Sequence, residues 1–222
     1  MHRSFFAVKD TFINSGSDLI DGTTFQDKNT GQDEILEIKK VFFDRKFHAP
    51  TRALIQFNTD EIESYISSSV LPKDYKIYLR LYETEGTSGL SEEYNIAAYP
   101  LSQSWDEGVG KEADEPRTTD GCSWLYRKNT EGSEIEWTDK GGTYIAGDEV
   151  TQSFSSELPD INMDITTVAK KWFGGVNKNY GLLLRLSGSR ETSSGSFEDL
   201  TFFSRQTNTT VSYTHLTLPT KA

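Results

Sequence analysis

The acidic side chains offer the most obvious chemistry, because carboxylates can bind metal ions or act as acid and base. One group stands close together in the middle of the chain and comprises Asp106, Glu107, Glu112, Asp114 and Glu115. A second pair, Asp18 and Asp21, lies near the amino terminus. Oxygen ligands of this kind could hold calcium, but the spacing of an EF-hand loop is not present. A solvated acidic loop is the favoured interpretation, and we expect no metal or other cofactor.

Nucleophilic catalysis has little support in the sequence. The histidines are His2, His48 and His215, so a Ser-His-Asp or Cys-His apparatus would depend on His48, whose neighbours supply no partner. The single cysteine, Cys122, could be a nucleophile, but a buried or loop thiol is favoured. Neither zinc-ligand spacing nor a phosphate-binding glycine loop occurs. Glycoside hydrolysis would need only two well-placed carboxylates, and these residues alone leave that alternative open.

Aromatic side chains suggest a different activity, the binding of sugars. Tyr78, Tyr82, Trp124 and Trp137 could stack on sugar rings if their faces are exposed. The competing interpretation is that these rings anchor the core or a loop. A flat row of exposed aromatics on one sheet face would favour sugar binding. Buried tryptophans, together with an exposed apolar patch or an unpaired strand edge, would favour assembly with other proteins.

The charge balance restricts the class of partner. The 23 lysines and arginines are outnumbered by 34 aspartates and glutamates, which gives a formal net charge of -11. Such a surface repels phosphate backbones and anionic membranes, so we expect neither as a partner. No stretch approaches the roughly 18 apolar residues of a membrane helix. The apolar run at residues 5–8 is too short for a signal-peptide core, and the lone cysteine suits a reducing cytoplasm.

Most apolar residues recur with a period of two, which is typical of β-strands. In residues 75–82, Ile77, Leu79 and Leu81 are expected to face the core, while the residues between them face the other way. Further strands are predicted at 35–43, 52–57, 94–101, 181–186 and 197–205, with weaker candidates at 4–13, 135–137, 152–158 and 160–164. Many short strands separated by Gly, Asn, Asp and Ser predict an all-β fold, a jelly-roll-like antiparallel β-sandwich.

Two short helices and one long loop interrupt the strand pattern. Residues 60–67 and 166–173 carry apolar residues at helical spacing and are predicted to close the ends of the sandwich. Residues 106–147 are rich in Gly, Asp, Glu and Thr and predict a long central loop excursion. Such a loop can bind ligands or pack on the sheet as a flap. The packed flap is favoured, because tryptophans would anchor it well.

Four short motifs, in order along the chain, resemble the DNRLRE domain family. Residues 52–57, Arg-Ala-Leu-Ile-Gln-Phe, are similar to its R-x-L-x-x-F strand, and residues 105–108, Trp-Asp-Glu-Gly, to its W-x-E-G turn. Asp164-Ile-Thr166, then Trp172, then Asn-Tyr-Gly-Leu-Leu-Leu at 179–184 resemble its signature D-V-T, W and N-x-G-x-x-L. Each motif alone is weak. Together they cover roughly residues 5–210.

The resemblance implies a jelly-roll-like sandwich without intrinsic catalysis, in which the recurring residues are structural. Here they are Arg52, Phe57, Trp105, Asp164, Trp172, Asn179 and Gly181. Arg52 is expected to form an ion pair with Asp164 or Glu107. DNRLRE domains occur in cell-surface proteins, and some act as carbohydrate-binding modules. The resemblance argues against hydrolase or lyase activity, and we predict that the chain is not an enzyme.

A narrower resemblance within this family is to virion structural proteins of marine T4-like tailed phages. It is carried by Asn29-Thr-Gly31, by residues 34–38 and 141–144, and by Phe-Phe-Ser-Arg-Gln-Thr at 202–207. It implies a structural or decoration protein of the virion that contacts other virion proteins after assembly in the host cytoplasm. A glycan-binding module on a virion or cell surface is the alternative. A third possibility is an accessory domain separated from a catalytic partner.

The last residues have a different origin in this interpretation. Residues 211–220 match, in one frame, the translation of a widely used sequencing-library adapter. We therefore expect a single domain at 1–210, an artefactual tail at 211–222, and a metagenomic fragment whose natural end lies near Thr210. The final strand of the domain would be missing, which leaves an open edge. Tyr213, Leu216 and Leu218 alternate partly and could pair into that gap. A natural threonine-rich tail is the alternative.

Overall fold

A computed structural model describes residues 2–16, 24–43, 47–68, 74–84, 94–131, 133–154, 159–193, 198–208 and 214–219. They form an antiparallel all-β sandwich with two short helices, so the predicted fold class is confirmed. The strands are β1 (His2–Asn14), β2 (Ile35–Phe43), β3 (Phe47–Phe57), β4 (Tyr78–Leu81), β5 (Tyr94–Pro100), β6 (Tyr126–Thr130), β7 (Ser133–Glu136), β8 (Val150–Phe154), β9 (Ile161–Asp164), β10 (Leu182–Leu186), β11 (Glu198–Phe203) and β12 (His215–Pro219). The helices are α1 (Thr59–Ser68) and α2 (Thr166–Phe173).

One continuous sheet folds over on itself. Its strand order is β8-β5-β10-β3-β1-β12-β4-β9, and β2 and β11 branch from the first half of β3. The long β1 belongs to both layers, because its first half pairs with β12 and its second half pairs with β3. The two ends of the order, β8 and β9, come close together, so the sheet is nearly closed.

The main core lies between the two layers. Strand alternation sends every second residue inward, and Ile77, Leu79 and Leu81 are fully buried as predicted. Ala53, Ile55 and Phe57 of β3 face the same core, whereas Leu54 faces the opposite side of the sheet. The predicted two-residue period of apolar residues therefore identifies the side chains that fill the main core.

The two helices pack against the main core, and α1 contacts α2. Asn58, immediately before α1, accepts a hydrogen bond from the Asp60 amide at 3.1 Å and so caps the helix. The second helix buries Val168, Ala169 and Trp172 against the sheet, in line with the predicted helical spacing. Within the described part of the chain, neither helix is long and apolar enough to cross a membrane.

A second core lies on the other side of β3, β10 and β5. The flap, residues 105–147, covers this side and contributes Trp105, Cys122 and Trp137, which pack against Leu54 and Leu183 of the sheet. The flap also contains the hairpin of β6 and β7, of which the sequence predicted only the second strand. The interpretation of residues 106–147 as a packed flap is confirmed.

Strand β12 belongs to the segment that resembles an adapter. It pairs with β1 on one side and β4 on the other, and Leu216 and Leu218 are fully buried. The gap expected from a missing final strand is thus filled by residues 215–219, while Tyr213 lies outside the described residues. The origin of residues 211–222, and with it the division at Thr210, stays a prediction.

Candidate functional site

The two outer faces of the sandwich differ, and both present candidate residues. The covered face is the outer side of β3, β10 and β5, which lies under the flap. The outer side of the first half of β1 with β12, β4 and β9 has no flap on it within the described residues, and we call it the open face, although His215 and Thr217 of β12 are only 6% and 4% exposed there. One cross-strand row on the open face contains Phe6, His215, Arg80 and Asn162, which are paired in register. Side chains in such a row are neighbours on one surface.

On the covered face, Arg52 forms the centre of a buried ion cluster. Its Nε and Nη2 donate to the two carboxylate oxygens of Glu191 at 2.8 and 2.9 Å, and Arg185 Nη2 lies 2.5 Å from the same carboxylate. Arg52 Nη1 also donates to the carbonyl of Gly141 at 2.6 Å, and its guanidinium lies 4.6 Å from the ring centre of Trp124. The cluster therefore fastens the flap to the sheet.

The prediction that Arg52 pairs with Asp164 or Glu107 is wrong. Asp164 is at the end of β9, where its carboxylate binds Lys76 at 2.8 Å, and this contact lowers the pKa of Asp164 despite partial burial. Glu107 instead pairs with Arg205, with Nε–Oε1 and Nη2–Oε2 distances of 2.8 and 2.5 Å. The actual partner of Arg52 lies in a short 3-10 turn, Gly188–Glu191, which strand and helix periodicity does not reveal.

A buried carboxyl group marks the place where the flap meets β1. Asp10 is 1% exposed; its Oδ2 accepts the Arg205 amide at 2.7 Å, and its own amide donates to Glu107 at 2.9 Å. Within the described residues its Oδ1 is buried without a hydrogen-bond partner, and Arg205 Nε lies 3.8 Å from it. Burial raises the pKa of Asp10 to about 7, with a further contribution from the Glu107 charge, although contacts with Arg205 oppose the shift.

Most of the acidic group of the flap is engaged in structural contacts, some of them with residues far away in the chain. Asp106 pairs with Lys128, Glu107 with Arg205 and Glu112 with Lys28, while Asp114 accepts hydrogen bonds from Lys111 and Thr118, and Glu115 is exposed. The hydrogen bonds to Asp114 lower its pKa. Within the described ranges, no group of three or more His, Cys, Asp or Glu side chains could hold a metal ion. Asp18 and Asp21 lie outside those ranges.

The remaining candidates for nucleophilic chemistry lie apart in the fold. Cys122 is fully buried in the second core, and burial raises the pKa of its thiol far above the ordinary value, so it is not a thiolate. His2 is exposed on β1, and the side chain of His48 is outside the described part of the structure. His215 is 6% exposed on the open face, where its ring stacks on Tyr82 with centroids 5.8 Å apart.

The four candidate sugar-stacking residues are not brought together. Trp137 is 3% exposed, and its Nε1 donates to the carbonyl of Ser123 at 2.9 Å. Trp124 is partly buried beside Arg52 and packs on the second core. Only Tyr78 and Tyr82 lie on the open face, both partly exposed. The two tryptophans therefore anchor the flap, and any stacking platform would have to use β4.

The asparagine and glycine of the N-x-G motif have a structural role. Asn179 Nδ2 donates to the Phe57 carbonyl at 2.7 Å, and its Oδ1 accepts the Gly181 amide at 3.0 Å. Gly181 has a φ of +95°, and a Cβ there would lie 2.3 Å from the carbonyl oxygen of Ile55. The motif thus turns the chain tightly against the end of β3, as expected for a residue type that tolerates positive φ.

Asn29, which the sequence analysis named only as part of a motif and not for a role, forms a buried hub. Its Nδ2 donates to the carbonyls of Glu107 and Cys122, each at 2.8 Å, and its Oδ1 accepts the amides of Gly31 and Gly110 at 3.1 and 2.8 Å. The hub joins the Asn-Thr-Gly motif to the Trp-Asp-Glu-Gly turn. The available signal was the co-occurrence of both motifs in the sequence.

An open cleft lies at the edge of the open face, between β4, β9 and β8. Its volume is about 530 Å³, and its lining consists of Arg80, Tyr82, Gln152, Ser153, Pro159, Asp160, Ile161 and Asn162. Gln152 spans the cleft floor, because its amide donates to the Asp160 carbonyl at 2.9 Å and accepts the Asn162 amide at 2.7 Å. These bonds join β8 to β9. Of the lining residues, the sequence suggested a ligand contact only for Tyr82.

An apolar patch lies elsewhere on the open face. Phe6 and Val8 are 52% and 45% exposed, whereas their neighbours Phe5 and Ala7 point inward and are buried. Val8 also borders a shallow depression of about 380 Å³ that includes Gln56, Phe57, Asn58, Thr59, Asp60 and Asn179.

Comparisons with known proteins add no relative. No protein-family model matches the sequence, and a search of curated proteins gives no significant match. The resemblance to DNRLRE domains and to virion proteins therefore stays a prediction.

Proposed function

We propose that this chain is a non-enzymatic structural or decoration protein of a tailed-phage virion, which contacts other virion proteins through its open face. The observation that carries the proposal is the patch of Phe6 and Val8, next to each other on the outer side of β1 and about half exposed. Single exposed apolar side chains are common on protein surfaces. Two adjacent ones beside a shallow depression favour a protein interface, because a partner would remove both from water.

The arrangement of the tryptophans supports the same function. Trp105, Trp137 and Trp172 are at most 6% exposed and serve the two cores. Buried tryptophans combined with one exposed apolar patch are the features expected of an assembly protein rather than of a flat sugar-binding platform. The resemblance of several motifs to those of virion structural proteins favours a phage particle, assembled in the host cytoplasm, as the location.

The test is co-assembly with the proteins encoded beside this one in its source genome. Each neighbour is co-expressed with the wild type or with a Phe6→Asp/Val8→Asp variant, and complexes are measured by analytical ultracentrifugation. We expect a stable complex with a head, neck or tail protein that the double variant loses. Val176→Asp is the matched control, since Val176 is 72% exposed outside the patch. A complex that the double variant forms equally well would refute the role of this patch.

Glycan recognition is the second candidate function, favoured by the cleft beside Tyr82. A concave site of about 530 Å³ with an aromatic side chain and several polar groups is of the kind that binds small ligands. This function is compatible with a virion location and needs no catalysis.

A further inference from the structure

We propose that Asp10, Glu107 and Arg205 form a proton-dependent latch, which holds the start of the flap on β1 while Asp10 carries a proton and weakens when that proton is lost. The latch joins three segments of the chain, namely β1, the Trp-Asp-Glu-Gly turn at 105–108 and the turn at 204–207 that follows β11. It concerns the flap rather than the open face, and it depends on neither candidate function.

The three side chains supply the bonds between these segments. Asp10 accepts the Arg205 amide at 2.7 Å, and the Asp10 amide donates to Glu107 at 2.9 Å. The Arg205 guanidinium donates to the Glu107 carboxylate through both Nε and Nη2. Each residue therefore contacts the other two, and each belongs to a different segment. A charge change on Asp10 consequently acts on the contacts of both turns.

The charges of this cluster balance when one of its two carboxyl groups is neutral. Arg205 supplies one positive charge, and its Nε and Nη2 are both engaged by Glu107, while Asp10 Oδ1 lies 3.8 Å from Nε and makes no hydrogen bond within the described residues. The Asp10 side chain is inaccessible to solvent. An ionised Asp10 would thus be a second buried carboxylate beside Glu107, whereas a neutral carboxyl group costs less to bury. Its raised pKa of about 7 agrees with this geometry.

The surroundings of Asp10 leave control of its proton to the latch itself. Among the described residues, Glu107 and Arg205 are the charged side chains that act on it. Its partner on β3, Ile55, is apolar, and the neighbouring Lys9 directs its Nζ to the carbonyl of Trp105 in the flap. Arg205 is the part of the cluster that reaches solvent, since its side chain is 30% exposed.

These properties fix the sign of the pH effect. A local opening that brings Asp10 into water returns its pKa toward 3.8, so the open state releases its proton at lower pH than the closed state does. The equilibrium constant for opening should therefore rise with pH by up to about tenfold per unit between about 4 and about 7. Above about 7 it should level off, because Asp10 is then ionised in both states.

The experiment is amide hydrogen exchange of the full chain, followed by NMR between about pH 5 and about pH 8. The probes are the amide of Arg205, which donates to Asp10, and the amide of Cys122, which donates to the Asp106 carbonyl in the flap. We expect both protection factors to fall by up to about tenfold per pH unit and to level off above about 7. The amide of Leu184 in β10 reports global unfolding, and it should be at least about tenfold more protected than the probes at each pH.

Two variants and a matched control assign the effect to the latch. Asp10→Asn retains the shape of the side chain without its titration, and it should make the protection of the Arg205 amide independent of pH. Glu107→Gln leaves Arg205 free to pair with an ionised Asp10, so the loss of protection should move to lower pH. Glu136→Gln should follow the wild type, because Glu136 is an exposed carboxylate of the same flap outside the cluster.

Three results would overturn the inference. If the probe amides are as protected as Leu184 at every pH, the flap opens only together with the whole fold. If Asp10→Asn retains the pH profile of the wild type, another group controls the flap. If Glu107→Gln loses protection at the same pH as the wild type, burial alone sets the proton affinity of Asp10 and the three residues do not act as one latch.

Discussion

The covered face and the open face of this sandwich are built by the same strand alternation but differ in how the arginines on their strands are paired. On the covered face, Arg52 and Arg185 are both paired with Glu191, and the flap seals them from water. On the open face, Arg80 of β4 has a buried Nε that makes no hydrogen bond within the described residues. The first arginine fastens the flap to the sheet, whereas the second has no carboxylate partner within the described residues.

The difference shows how to separate structural from functional residues in a molecule of this kind. Both faces contain aromatic rings, and the residue types alone do not distinguish them. On the covered face, Trp137 donates its N–H to a backbone carbonyl and lies in a core. On the open face, Phe6 contributes half of its surface to solvent. Exposed apolar surface is where a partner could pack. An unpaired buried atom alone does not separate the two classes, because Trp172 Nε1 in the main core is also unpaired within the described residues.

The largest expected effect is on the free energy of unfolding, when one arginine on each face is replaced by alanine. Arg52→Ala should lower the free energy of unfolding by about 3 kcal/mol, because it leaves the buried Glu191 with one fewer partner and the Gly141 carbonyl without its donor. Arg80→Ala should change it by less than about 1 kcal/mol, since only the packing of the aliphatic stem is lost. Urea unfolding followed by tryptophan fluorescence measures both.

That pair of variants tests the comparison directly. If Arg80→Ala destabilises the protein as much as Arg52→Ala does, Arg80 has a structural role and the open face is not free for a ligand. Lys128→Ala is the reference variant, because it removes a surface ion pair. Lys128 pairs with Asp106, and both side chains are about 40% exposed. Its expected cost is within about 1 kcal/mol.

The next expected effect concerns Asp10, which lies where β1 meets the flap. Its pKa is raised from 3.8 to about 7 on folding, mainly by burial. Between these values the folded state binds more protons than the unfolded state, so this group makes stability fall as pH rises from about 4 to about 7. Asp10→Asn should remove that dependence. The difference in unfolding free energy, variant minus wild type, should increase with pH by at most about 1.4 kcal/mol per unit and level off above about 7.

Urea midpoints at several pH values measure this difference. Asp114→Asn is the control, because hydrogen bonds lower the pKa of that exposed carboxyl and its contribution lies at lower pH. Parallel profiles for Asp10→Asn and the wild type would show that Asp10 is ionised at neutral pH in the folded protein, and would contradict the burial argument.

The sequence predicts the elements of this fold well because they depend on local periodicity. The bounds of β2 and α2 agree with the predicted segments, and the inward row Ile77, Leu79 and Leu81 follows from a period of two. By contrast, β6 was missed, since its five residues Tyr126–Thr130 are all partly exposed and carry no apolar alternation. A strand that is stabilised mainly by its hairpin partner does not need an apolar face, so its sequence shows no alternation of apolar and polar residues.

The site was less predictable, because it depends on contacts between residues far apart in the chain. Arg52 and Glu191 are 139 positions apart, and many carboxylates in so acidic a chain could have been the partner. Tyr82 was proposed as a ligand contact, and it does line the cleft. Gln152 and Asn162 could not be assigned with it, because the cleft exists only where β8 and β9 approach each other. No periodicity encodes that approach.

The smallest expected effect again compares one substitution on both faces. Tyr144→Phe should lower the free energy of unfolding by about 1 kcal/mol, because its hydroxyl accepts a hydrogen bond from Arg185 at 3.2 Å beside the buried ion cluster. Tyr82→Phe should change it by less than about 0.5 kcal/mol, since the Tyr82 hydroxyl makes no hydrogen bond within the described residues. The ring, and with it the stacking on His215, is retained. Equal effects of the two changes on the urea midpoint would show that the hydroxyl on the open face is as engaged as the one under the flap. If the Tyr82 hydroxyl is engaged within the protein in this way, Tyr82→Phe should leave glycan affinity unchanged. A loss of glycan affinity without a loss of stability would instead show that the hydroxyl contacts the ligand.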